Sequence, residues 1–123
     1  MTELMEQLVQ WHEDNEHQKI IRTIEAMPQK DSEMAGILAR AYNNVSRYKE
    51  ALVLLESIAE VSQESAMWHY RIGYSYLHLR QYNKAIAAFT RAAELSPEDS
   101  IIMEDIPGFI SQARAMRKDM KKF

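Results

Sequence analysis

Apolar residues along this chain recur at intervals of three, four and seven, with polar breaks between the stripes they form. Residues so spaced share one face of an α-helix, so each stripe predicts a helix with one buried side. The clearest pair of stripes lies between Ala66 and Asp99. Ile72, Gly73 and Tyr76 fall on the first and Ala85, Phe89 and Ala92 on the second, with Pro97 in the turn beyond, where its missing N–H is harmless. Gly73 and Ala85 are small enough for the two helices to approach closely, and Tyr76 and Phe89 fill the wedge between them.

The pattern recurs. A step of 34 residues upstream places Leu38, Ala39, Tyr42, Ala51 and Leu55 at equivalent sites in a unit running from Ser32 to Ser65, which abuts the first without a gap. Nearer the N-terminus, Leu4, Leu8 and Trp11 make one stripe, and Ile20, Ile21 and Ile24 a second, ahead of Ala26, Met27 and Pro28. The polar run His12 to His17 between them reads as a helix-to-helix turn. After Asp99 one more stripe follows, with Ile106, Phe109, Ile110, Ala113, Met116 and Met120 at helical spacing. Asp105 is expected to cap that last helix, with Pro107 in its first turn. Hairpins that cannot bury their own faces must stack on neighbours.

Counted from Ala66, the residues Ile72, Gly73, Tyr76, Ala85, Phe89, Ala92 and Pro97 stand at positions 7, 8, 11, 20, 24, 27 and 32, so this unit resembles a tetratricopeptide repeat. It departs at position 4, where Trp is usual: His69 stands there, and Trp68 comes one residue early. The 32–65 unit resembles the family less closely, with Ala35 at position 4 and Gln63 in place of the proline. The resemblance implies an all-α fold, a right-handed superhelical stack of three hairpins (1–31, degenerate; 32–65; 66–99) closed by a capping helix over 100–123, all in one domain.

The same resemblance implies a non-catalytic scaffold that holds a peptide or protein segment in a concave groove built from the first helix of each hairpin. The family's groove positions fall on Glu33, Gly36, Ile37, Arg40, Asn43 and Asn44 in one unit, and on Met67, Tyr70, Arg71, Tyr74, Leu77 and His78 in the next. In the N-terminal hairpin Thr2, Glu6, Val9 and Gln10 would extend them. Seven of these are candidate peptide-binding residues: Arg40, Asn43, Asn44, Tyr70, Arg71, Tyr74 and His78. Arginine forks, amides and rigid aromatic rings suit an extended segment, and an acidic or carboxylate-bearing one would suit Arg40 and Arg71. The family's clamp for a terminal carboxylate is a different arrangement. Its five positions are occupied here by Thr2, Glu6, Ile37, Met67 and Arg71, of which only Arg71 matches.

Composition narrows the remaining classes. A chain of 123 residues, 46% hydrophobic and 27% charged, sustains one continuous core. A net charge of −3 works against nucleic acid as a partner. The ends differ in sign: Arg114, Arg117, Lys118, Lys121 and Lys122 face a single Asp119, whereas residues 1–35 hold eight acids against three bases. These charges either solvate two faces or join copies head to tail. Self-association, through Met67, Leu77 or the apolar side of the last helix, is the alternative to peptide binding.

With no cysteine, disulfides and thiolate metal sites are excluded. No run of about 18 apolar residues predicts a membrane helix, and MTELMEQLVQ lacks a basic signal segment, so a cytoplasmic protein without membrane contact is expected. His12 and His17 are five apart and so miss the four-residue spacing of a helical zinc site, and no metal or cofactor is expected. The three glycines are isolated and no nucleophile motif occurs, so no enzyme is expected either.

Overall fold

The computed structural model describes residues 2–120, which form seven α-helices and one short 3₁₀ turn, with no strand among them. Lys121 and Lys122 of the basic run lie outside the described residues. The helices pair along the chain: α1 (Glu3–Glu13) with α2 (His17–Glu25), α3 (Ser32–Asn44) with α4 (Tyr48–Ser57), and α5 (Ala66–His78) with α6 (Tyr82–Leu95). A final helix, α7 (Ile101–Met120), packs on α6 and reaches α5. It therefore stands to the α5–α6 pair as α5 stands to α3–α4. The odd-numbered helices make one layer and the even-numbered ones the other, as expected of a helical repeat stack.

Local chemistry explains where each pair begins. Thr2, Asp31 and Ser65 precede α1, α3 and α5, and each side-chain oxygen accepts the backbone N–H three residues on. The second helices have no such cap. They start directly from a turn that recurs three times with the same geometry, centred on Asn15, Ser46 and Arg80, whose φ angles are 60°, 66° and 65°. In each turn the following N–H reaches back five residues: Glu16 to the Trp11 carbonyl at 2.7 Å, Arg47 to Tyr42 at 2.8 Å and Gln81 to Tyr76 at 2.9 Å. A left-handed residue closed by this six-to-one bond satisfies the carbonyls left open at the end of a helix. The turn of the N-terminal pair thus keeps the geometry of the other two although its sequence pattern is worn.

Two details differ from expectation. The turn between α1 and α2 is only Asp14–Glu16, because His12 still belongs to α1 and His17 opens α2. In addition, α7 begins at Ile101, so Asp105 is not its cap and Pro107 lies inside the helix rather than in its first turn. The stripe from Ile101 onward was long enough to start the helix a turn early. Pro107 is exposed there, and its missing N–H leaves one ladder bond unmade.

The core forms two clusters. Leu8, Ile20, Ile21, Ile24, Leu38 and Leu55 anchor the first, and Leu77, Tyr82, Ala85, Phe89, Ile106 and Ala113 the second. Tyr76 packs against both, which joins them. Gly73 sets the closest approach between α5 and α6: a Cβ there would lie 3.0 Å from the buried Phe89 ring. Trp68, early by one position, is nonetheless buried, and its indole N–H donates to the Leu55 carbonyl at 2.9 Å. That carbonyl is free for a side chain because the chain tightens there, with the Ile58 N–H bonding it at i+3 before the 3₁₀ turn Ala59–Val61. His69, in the usual tryptophan position, packs edge-on against Trp68 and bonds the Gln63 carbonyl at 2.9 Å.

Candidate functional site

The odd-numbered helices enclose two adjoining cavities, and both are walled by Arg40 of α3 and Arg71 of α5. One, of about 360 Å3, also takes in Asn44, Tyr70 and Tyr74, with His12 at its α1 side and Asp105 at its α7 side. The other, of about 420 Å3, runs past Met5 and Val9 of α1 toward Gly36 and Trp68. Five of the seven candidate residues thus share one hollow with open access, and Asn43 forms part of its wall.

Asn43 itself is not open to a ligand. It is 4% exposed, its amide nitrogen donates to the Arg71 carbonyl at 3.1 Å, and its carbonyl oxygen accepts the Ser75 hydroxyl at 2.9 Å. Both ends of the amide are therefore spent on fastening α3 to α5. Leu77, at the same position of the next unit, is 2% exposed in the core, which closes it as a contact for another copy. Position 12 faces the neighbouring first-layer helix rather than the groove. Ile37 is likewise buried, and Gly36 lies under the Arg71 side chain.

The remaining candidates are arranged as follows. Asn44 is exposed at the rim. His78 is exposed outside the cavity and stacks on Tyr48 of α4, with ring centroids 4.5 Å apart and planes 7° from parallel. Tyr74 touches His78 at 4.5 Å and Phe109 of α7 at 5.7 Å. Tyr70 packs edge-on to Phe89 and donates its hydroxyl to Asp105 at 3.0 Å. Burial, then the Asp105 carboxylate, hold the Tyr70 phenol well above the usual tyrosine range. Burial also lifts Tyr74 and lowers His78. Ring contacts thus run from Tyr48 through His78, Tyr74 and Phe109 to the buried Phe89.

The two arginines differ from Arg47 and Arg91. Arg47 pairs with Glu50, and Arg91 with Glu64 and Glu94, whereas among the described residues neither Arg40 nor Arg71 has an ion pair. The Nε of each is buried and without a hydrogen-bond partner. Burial, then the Arg40 charge, push the Arg71 guanidinium down to about 10, so it remains charged at neutral pH. Its Nη1 lies where a Cβ on Gly36 would come within 2.7 Å, so the glycine gives the fork room to lie flat on α3.

Sequence reasoning missed His12, His17, Tyr48, Asp105 and Phe109 as neighbours of the groove. A signal existed for two of them. Counted from residue 1, His12 stands at the same position as Asn43 and Leu77; counted from Ser100, Asp105 stands at the same position as Arg71. Treating α7 as the first helix of a further unit would have brought Asp105 to the groove.

Residues 66–99 match the family model of the tetratricopeptide repeat. No curated protein and no solved structure matched the chain. No helix among the described residues is long and apolar enough to cross a membrane. The matched segment spans α5, α6 and the turn after them, with Gly73 against Phe89 at its centre, so residues 66–99 are a tetratricopeptide repeat.

Proposed function

We propose that the chain is a non-catalytic scaffold that binds a peptide or protein segment in the groove of its odd-numbered helices. Tetratricopeptide repeats in general hold protein partners. The observation that supports the reading here is the cavity of about 360 Å3 where Asn44, Tyr70, Arg71 and Tyr74 converge from successive first-layer helices. Its chemistry suits an extended chain: a rim amide for backbone groups, aromatic faces for side chains, and Met67, 39% exposed, as an adaptable apolar contact. An intramolecular network occupies the position-12 residue Asn43, which leaves the groove floor rigid and spares the binding segment the ordering of its receptor.

The test is selection of binders from a displayed peptide library, followed by two substitutions at exposed positions. Met67→Glu and Asn44→Ala together should weaken the selected peptides at least tenfold with the fold intact. Val53→Glu on α4, 68% exposed and outside the odd-numbered layer, should leave them unchanged. Equal loss from both changes, or from neither, would sink the groove reading.

A further inference from the structure

Burying a guanidinium without a counter-charge is expensive, and proteins ordinarily answer it with a carboxylate. Here two lie partly buried on the same cavity walls, each with a buried Nε, and neither has an ion-paired carboxylate among the described residues. Arg40 and Arg71 approach closely enough for the Arg40 charge to weigh on Arg71, and no ion pair among the described residues relieves either. Their unpartnered Nε groups are joined by two further unpartnered nitrogens, the Nδ1 atoms of His12 and His17. Those two rings come from α1 and α2 with centroids 5.8 Å apart, and both feel Arg40. His12, Arg40 and Arg71 line one open cavity and His17 lies beside His12, so nitrogen-bearing side chains from four helices gather there. The carboxylates on the cavity walls are Asp105, which accepts the Tyr70 hydroxyl, and the exposed Glu33, and neither makes an ion pair with the arginines.

Building on the groove reading, we propose that Arg40 and Arg71, with His12 and His17 beside them, form an oxyanion subsite that seats one carboxylate or phosphoryl group of the bound segment. Two forks offer paired N–H donors in the geometry that planar and tetrahedral oxyanions accept. The imidazoles add proton linkage. Burial first, then Arg40, His17 and Arg71, disfavour the charged form of His12, while Glu13 favours it; burial and then Arg40 disfavour that of His17. An anion seated among them reverses that balance, so it binds together with a proton and its affinity rises as pH falls through the imidazole range.

The subsite is tested on the full chain by NMR of the arginine Nε–H signals during titration with sodium sulfate, a phosphoryl stand-in of constant charge, and separately with sodium acetate. Arg40 and Arg71 signals should move saturably with at least one of the two, and whichever acts names the source of the oxyanion. Arg91, already paired, should move no more than in sodium chloride of equal ionic strength. Arg40→Gln should weaken binding at least fivefold with an unchanged melting profile. Affinity should rise about threefold or more from pH 7.5 to pH 5.5, and His12→Gln should flatten that rise. Signals at Arg40 and Arg71 that follow chloride alone overturn the subsite. So do library peptides that bind through Asn44 and Met67 yet show no preference for an acidic residue, a result that would leave the groove reading standing.

Discussion

The contact between Gly73 and Phe89 makes a prediction that weighs two opposed effects of one methyl group. Alanine in place of glycine inside a helix contributes about 1 kcal/mol through helix propensity. At Gly73 the added Cβ would lie 3.0 Å from two carbons of the Phe89 ring and 3.2 Å from a third. That ring is fully buried and stacked 5.3 Å from Phe109, so it has little room to yield. Overpacking of such a site costs about 1–3 kcal/mol, so Gly73→Ala should be destabilising by about 0–2 kcal/mol net. Gly108 supplies the internal reference, since it is exposed in α7 and a Cβ there meets nothing within 4 Å. Gly108→Ala should stabilise by about 1 kcal/mol with no opposing contact. The assay is urea unfolding followed by circular dichroism and fluorescence, with coincident transitions required before free energies are compared. A gap of about 1–3 kcal/mol between the two variants is expected. Adding Phe89→Leu to Gly73→Ala should cost less than Phe89→Leu does alone, because the smaller side chain relieves the contact. A Gly73→Ala protein as stable as Gly108→Ala would refute the close-approach account of the α5–α6 pair.

Three further outcomes are expected. Asn43→Leu should cost about 1–3 kcal/mol by urea unfolding because it strands polar partners inside the α3–α5 seam, and adding Ser75→Ala should recover part of that loss. Ser46→Gly and Arg80→Gly should each stabilise by about 0.5–1 kcal/mol, seen as melting points raised by about 2–5 °C, whereas Asn15→Gly should gain less because asparagine tolerates the left-handed region. Finally, His12, His17 and His78 are all held below the ordinary imidazole value of 6.5, by burial first and, for His12 and His17, by Arg40 next. The unfolded chain then binds protons more readily than the folded one below about pH 6.5. Stability should be complete above that pH and fall as pH drops through it, and His12→Gln with His17→Gln should reduce the slope of the urea midpoint between pH 6.5 and 5.

The fold was legible wherever a single residue type is required by packing. Gly73, Ala85 and Phe89 mark the α5–α6 contact because few side chains satisfy it, and the matching small and aromatic positions carried the pattern back to Ser32. The N-terminal hairpin was less legible for a physical reason: what recurs there is a backbone conformation, the left-handed residue at Asn15 with its six-to-one bond, and three different side chains serve that role in the three turns. The groove was legible as a set of positions but not as a set of environments. Position 12 shows the limit, since Asn43 and Leu77 looked exposed by angle alone, yet Asn43 is buried against α5 and Leu77 in the second core cluster. The early Trp68 was unreadable in the same way, because its partner is a backbone carbonyl at the end of α4.

Charge in this chain is organised by depth rather than by total. The net value of −3 arises from acids spread over exposed helix faces, among them Glu3, Glu6, Glu33 and Glu56. Two cations near the centre of the odd-numbered layer, Arg40 and Arg71, have no ion pair among the described residues and carry a buried Nε without a partner. Exposed acids act through screened, high-dielectric solvent, where each contributes little beyond a Debye length. Arg40 and Arg71 act across a few ångströms of protein with most of their water removed, where a single matching charge weighs far more. On the proposed reading, a partner's acidic group would be weakly repelled at a distance and strongly held once seated. That ordering would disfavour loose adhesion to anything merely basic or merely acidic and would reward a segment whose charge arrives in register with Tyr70 and Tyr74. Gly36, a helix-interior glycine with a cost in propensity, gives the Arg71 fork its room, since a Cβ there would lie 2.7 Å from Arg71 Nη1, and on the proposed reading that is where such a charge would enter.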